Sequence, residues 1–162
     1  MVDKKLFEGL ASRLYFSQHG LAVDKTENAN RPLSKLGIEQ TNVIAKQLLI
    51  ADVSISSVTH SGKCRAEQSA EIFANNLSNQ AVSVSEYLSP NNDVRLLLPH
   101  LTTDNALYIG HLPHLAKLVA YLVTGDENHN IIRFQNSAIV CLEKNQKRYH
   151  VEWYLTPNMK TA

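Results

Sequence analysis

Short apolar runs alternate with stretches of helical periodicity along most of this 162-residue chain. That alternation constrains the fold more than any single motif does. Parallel strands need helical crossovers to connect them, and amphipathic helices need a sheet to cover. Residues 13–17 are apolar and aromatic-rich and read as a strand. A polar loop over residues 24–33 follows, with Ser34 as a helix N-cap, and Leu36, Ile38, Val43, Ile44, Gln47 and Leu48 carry a helical pattern towards Ile50. Residues 54–60 alternate with β-branched side chains and read as a second, parallel strand. The spacing of Ala66, Ala70, Phe73, Ala74 and Leu77 predicts a helix over 63–77.

Further on, residues 82–84 form a short strand candidate, and Ser89-Pro90-Asn91-Asn92 a turn. Val94, Leu97 and Leu98 give helical spacing over 93–101. Residues 106–109 are a buried strand, and Pro113 introduces a helix over 115–123. Residues 137–142 and 149–155 read as a β-hairpin closed by the polar stretch 143–147, with Lys144, Lys147 and Arg148 at a solvated tip. The expected architecture is a three-layer α/β/α sandwich with a mainly parallel central sheet. No repeat, linker or low-complexity stretch divides it, so residues 1–162 are expected to form one domain.

Composition narrows the function classes. A formal net charge of +1 offers no electrostatic footprint for nucleic acid or for an acidic membrane surface. Lys4 and Lys5 are not followed by the apolar stretch of a secretory signal, and residues 115–123 contain Lys117 and fall far short of a membrane span. Cys64 and Cys141 make neither a zinc pattern nor a redox pair and are expected to stay reduced. A cytoplasmic protein without metal or cofactor is the expectation. His111 and His114 stand three apart, but Pro113 between them and the lack of a matching carboxylate argue against a metal pair. His60 and His100 read as rim or structural residues.

Two histidines sit at strand ends beside glycines, in Gln18-His19-Gly20 and Gly110-His111. In a parallel α/β sheet, ligands bind beyond the carboxyl ends of the strands, where both fall. A neutral imidazole can attack phosphorus, and guanidinium groups such as Arg31 and Arg65 can hold the charge that spreads over the phosphoryl oxygens. Gly20 would let backbone and substrate approach closely. Ser61 is a candidate hydrogen-bond donor at the pocket as well as a cap for the helix that follows.

Four stretches together resemble the histidine phosphatase superfamily, the phosphoglycerate-mutase-like fold, and within it the SixA-type phosphohistidine phosphatase branch. They are Gln18-His19-Gly20, Asn30-Arg31-Pro32-Leu33-Ser34, Ser61 with Arg65-Ala66-Glu67-Gln68-Ser69, and Gly110-His111-Leu112-Pro113. The closing Trp153-Tyr154-Leu155-Thr156-Pro157 is also similar. The resemblance implies that His19 accepts the phosphoryl group, that His111 contacts it, and that Arg65 and Arg31 clamp it. It also implies a phosphorylated histidine-phosphotransfer domain or phosphocarrier protein as substrate, and a role in signal transduction. Glu86, at the end of the third strand, is a candidate acid for the leaving group.

Two positions depart from the branch pattern. Gln18 stands where the motif has arginine, and Leu21 where an acidic residue is common. Replacing a charge-assisted bond costs about 1.5–3 kcal/mol, and losing one donor that acts in the transition state costs about 10²–10³ in rate. The sequence therefore leaves a weakened phosphatase, a phosphoprotein-binding module without turnover, and a small-molecule phosphomonoesterase open.

Overall fold

A computed structural model describes residues 7–78 and 81–158; Lys4 and Lys5 lie outside the described residues. Strand β1 (Arg13–Gln18) is followed by helix α1 (Lys35–Ile50), β2 (Ser57–His60), α2 (Cys64–Asn76), β3 (Val82–Val84), β4 (Ala106–Gly110), α3 (His114–Thr124), β5 (Ile139–Asn145) and β6 (Arg148–Leu155). The six strands form one sheet in the order β3-β2-β4-β1-β5-β6. The first four are mutually parallel, and β5 runs antiparallel to both its neighbours. This is the expected mixed α/β sandwich.

Period-two alternation builds the three layers. Leu14 and Phe16 of β1, Ala106 and Tyr108 of β4, and Val140 and Leu142 of β5 face one core, which α3 covers with Leu115, Leu118 and Leu122. The alternate residues Tyr15, Leu107, Ile109, Ile139 and Cys141 face the opposite core with Ile44 and Leu48 of α1 and Phe73 of α2. Ser34 caps α1 by accepting the Gly37 amide at 3.0 Å, and Gly125 ends α3 in a left-handed conformation at φ 83°. A Cβ on Gly37 would stand 2.1 Å from the Leu21 carbonyl oxygen, so the chain leaving β1 lies directly on α1 there.

Four expectations change. The helix over 93–101 is instead two single 3₁₀ turns, Val94–Leu96 and Leu98–His100. Pro99 cannot donate to a continuing helix and its ring clashes with the preceding turn, although Val94, Leu97 and Leu98 are buried as their spacing required. Strand β2 starts at Ser57 rather than at residue 54, because Ser56 is tied to the loop before β4 through Asn105 and Asp104. The hairpin strands extend to Asn145 and from Arg148, leaving a tight turn with Gln146 at φ 60°. Lys144 is not a solvated tip residue: its Nζ donates to the carbonyls of Leu10 at 2.6 Å and Phe7 at 3.2 Å.

Candidate active site

Strand register alone brings the two histidines together. Gln18 of β1 pairs with Gly110 of β4, so the next residues, His19 and His111, leave adjacent parallel strands at the same level. On the other side of β4, His60 pairs with Ile109, which places Ser61 beside the same strand end. The rings of His19 and His111 lie 4.9 Å apart between centroids at 49°. Both are nearly withdrawn from solvent, His19 at 8% exposure and His111 at 2%.

Each ring has a defined set of partners. His19 Nδ1 lies 2.7 Å from the carbonyl oxygen of Gly20, which can only accept, so the proton sits on Nδ1. Nε2 is left with its lone pair and accepts from Arg65 Nε at 3.3 Å. His111 Nε2 lies 2.6 Å from Ser61 Oγ, while its Nδ1 is buried without a partner among the described residues. Burial pushes His19 down to about 4 despite the Gly20 bond, with Arg65 and Arg31 adding to the depression. Burial, His19, Arg65 and Lys63 push His111 down to about 3. Both rings are therefore neutral at pH 7.

The surroundings are cationic. Arg65 stands in the first turn of α2, and its own pKa is lowered by burial and then by Arg31. Arg31 adopts φ 48° in the loop before α1 and donates from Nε to the Val23 carbonyl at 3.2 Å. Neither guanidinium makes an ion pair among the described residues. Two unpaired guanidiniums around neutral imidazoles form a site for an anion.

Other predicted residues stand apart from this cluster or play a different part. Gln18 is half-buried, and its Oε1 has no partner among the described residues. The Gly20 amide is committed to Ser69 Oγ at 2.9 Å, and a Cβ there would stand 2.7 Å from Thr41 Oγ1. The close approach at Gly20 is thus to α1, and it orients His19. Glu86 is exposed beyond edge strand β3, which normal strand spacing sets roughly 10 Å from β4 and 14 Å from β1. It makes no hydrogen bond or ion pair with His19, His111, Arg31 or Arg65 among the described residues. His60 is buried and accepts the Gly62 amide through Nδ1, and His100 stacks on Tyr87.

Supporting residues escaped the sequence reading. Ser69 accepts from Gly20 and donates to the Arg65 carbonyl, tying the His19 loop to α2. Gln68 Oε1 accepts the Leu33 amide at 2.7 Å, and Asn136 Nδ2 donates to the His19 carbonyl at 3.0 Å. Ser69 lies one helical turn after Arg65 and was legible by spacing. Asn136 lies 117 residues from its partner and carried no signal.

No family model matches the chain. It is 31% identical over 161 residues to the phosphohistidine phosphatase SixA of Escherichia coli, covering 93% of this chain and 98% of that one. The solved structure of the protein histidine phosphatase SixA complexed with tungstate has a TM-score of 0.78 and 28% identity, covering 90% of this chain and 97% of that one. A candidate SixA phosphohistidine phosphatase from Agrobacterium tumefaciens, 17% identical, shares the fold at a TM-score of 0.76 over 91% and 99% of the two chains.

Proposed function

From a chain that belongs to the SixA family of the histidine phosphatase superfamily, a group of phosphatases, we propose dephosphorylation of protein-borne phosphohistidine through a covalent intermediate on His19. The observation that carries this reading is the lone pair of His19 Nε2, held beside unpaired guanidinium groups by an Nδ1–H bond to Gly20. A neutral imidazole with its proton fixed on the far nitrogen is ready to attack phosphorus without a base. Nε2 forms the new N–P bond while the bond from phosphorus to the substrate imidazole breaks. Arg65 and Arg31 hold the non-bridging oxygens, where charge accumulates. Water then attacks the His19 phosphoryl group, releasing phosphate and restoring the ring. The tungstate bound by the SixA relative is a tetrahedral oxyanion of the shape such a pocket must hold.

Short connections support a substrate carried on a protein. Only three residues join β2 to α2 and three join β4 to α3, so no insertion from these turns roofs the strand ends. A phosphoimidazole presented by a phosphotransfer domain or phosphocarrier protein suits a sheet edge on which β2 and β4 carry only short turns. It is also a reactive phosphoryl donor, which fits a site with Glu86 at the far edge of the sheet.

The test is to incubate the chain with a histidine-phosphorylated phosphocarrier protein and follow phosphate release. Release is expected, and His19→Ala is expected to abolish it. Gln18 favours a second reading, a module that binds a phosphorylated partner without turnover, since the cation expected beside His19 is missing. Tight binding with no release by the unmodified chain would establish that reading instead.

A further inference from the structure

The chain segments that carry His19 and His111 leave adjacent strands at the same level and then part. Gly20-Leu21 turns towards α1, whose Gly37 lies against the Leu21 backbone, and Leu112-Pro113 turns into α3. The two helices cover opposite faces of the sheet, because α1 packs into one core and α3 into the other. Leu21 and Leu112 therefore stand on either side of the histidine pair, 38% and 40% exposed, with Pro113 exposed beside Leu112. One exposed leucine on a surface needs no explanation. Two that bracket a pair of buried imidazoles, each within two residues of its histidine, do need one.

The other groups at the opening divide the work. Lys63 is exposed at the N-cap of α2, and with Arg65 and Arg31 it makes no ion pair among the described residues. These cations match the oxygens of a phosphoryl group, whereas the leucines match nothing on it. On the function proposed above, that group is carried on a histidine of another protein, and a histidine side chain is short. Bringing its phosphorus to Nε2 of the buried His19 ring lowers the surface around it onto the rim. We propose that Leu21 and Leu112 are specificity determinants, receiving apolar side chains that flank the phosphohistidine of the carrier and so favouring protein-borne phosphohistidine over the free amino acid. The inference rests on the phosphohistidine phosphatase reading. Contacts this far from the reacting atoms are the same before and during transfer, so they act on KM and leave kcat alone.

The test compares steady-state phosphate release from a histidine-phosphorylated phosphocarrier protein and from free phosphohistidine, which share the bond that breaks. Leu21→Ser and Leu112→Ser should each raise KM for the protein about tenfold at unchanged kcat, and hold kcat/KM for free phosphohistidine within about twofold. Methionine at either position, apolar and of similar volume, should keep the original KM. Ile50→Ser, exposed at the opposite end of α1 from Leu21, should change neither substrate. Circular dichroism checks the fold of each variant, and glutamine replaces serine wherever serine disturbs it. An equal loss on both substrates in a folded variant, or an unchanged KM for the protein, overturns the proposal and leaves the phosphatase reading standing. No release from either compound by the unmodified chain removes the phosphatase reading, and the proposal with it.

Discussion

At the scale of single residues, the site is decided by which nitrogen carries a proton. The backbone carbonyl of Gly20 accepts from His19 Nδ1, and α1 passes too close there for any side chain, which fixes the carbonyl in place. That leaves the lone pair on Nε2, the atom the proposed mechanism uses, and the depression of His19 to about 4 keeps it unprotonated across the physiological range. On the proposed function, Gln18 is the residue at which the chain would give up catalytic power. An amide can donate, but it adds no charge to stabilise a phosphoryl group in transfer. Gln18→Arg is therefore expected to raise kcat by about 10²–10³ with a smaller effect on KM, as steady-state rates would show. An unchanged rate would mean that the pocket has been reshaped around glutamine. His19, His111, Arg65 and Ser61 were legible because each lies at a strand end or in a first helical turn. Asn136 and Ser137, which bind the carbonyl of His19, were not, because a loop residue that holds backbone leaves no periodicity.

At the scale of elements, alternation in the sequence carried most of the sheet and all three long helices. It failed where a local rule overrode spacing. Pro99 split a helix whose apolar positions were otherwise correct, and Lys144 was misread because its carbonyl partners lie 134 and 137 residues away. The chain leaving β1 lies directly on α1 at Gly37, close to the site. Gly37→Ala would drive a Cβ into the Leu21 carbonyl at 2.1 Å, and backbone cannot swing aside as a side-chain tip can. The substitution is expected to cost more than about 2 kcal/mol, read as a lowered urea midpoint with an unchanged slope. It should also lower activity in the fraction that folds, since Leu21 leads directly back to His19. An equal rate per folded molecule would show that the junction is structural alone.

For the whole molecule, four buried histidines, His19, His60, His111 and His114, share the response to acid, each lowered chiefly by burial. His19 and His114 are held down to about 4 and His111 to about 3, chiefly by burial. Each folded pKa lies below the unfolded value near 6.5, so the unfolded chain binds more protons as pH falls. Stability is fully present above pH 6.5 and is lost as pH drops from there towards 4 and 3. A shift from 6.5 to about 4 corresponds to roughly 3 kcal/mol per ring. His114 is 1% exposed, and neither of its nitrogens has a partner among the described residues. Replacing it by leucine, of similar size, should flatten the fall in urea midpoint between pH 7 and pH 4, removing roughly a quarter of it. An unaltered slope would place the acid response elsewhere.

The anchoring of His19 also has a temporal side. By residue 111 a growing polypeptide already carries both imidazoles and both guanidiniums of the site. The amide of Ser137 and the side chain of Asn136, which bond the His19 carbonyl, come later, at the entrance to the strand that pairs antiparallel with β1. On the ribosome, chemistry would therefore wait for the C-terminal hairpin to emerge and dock.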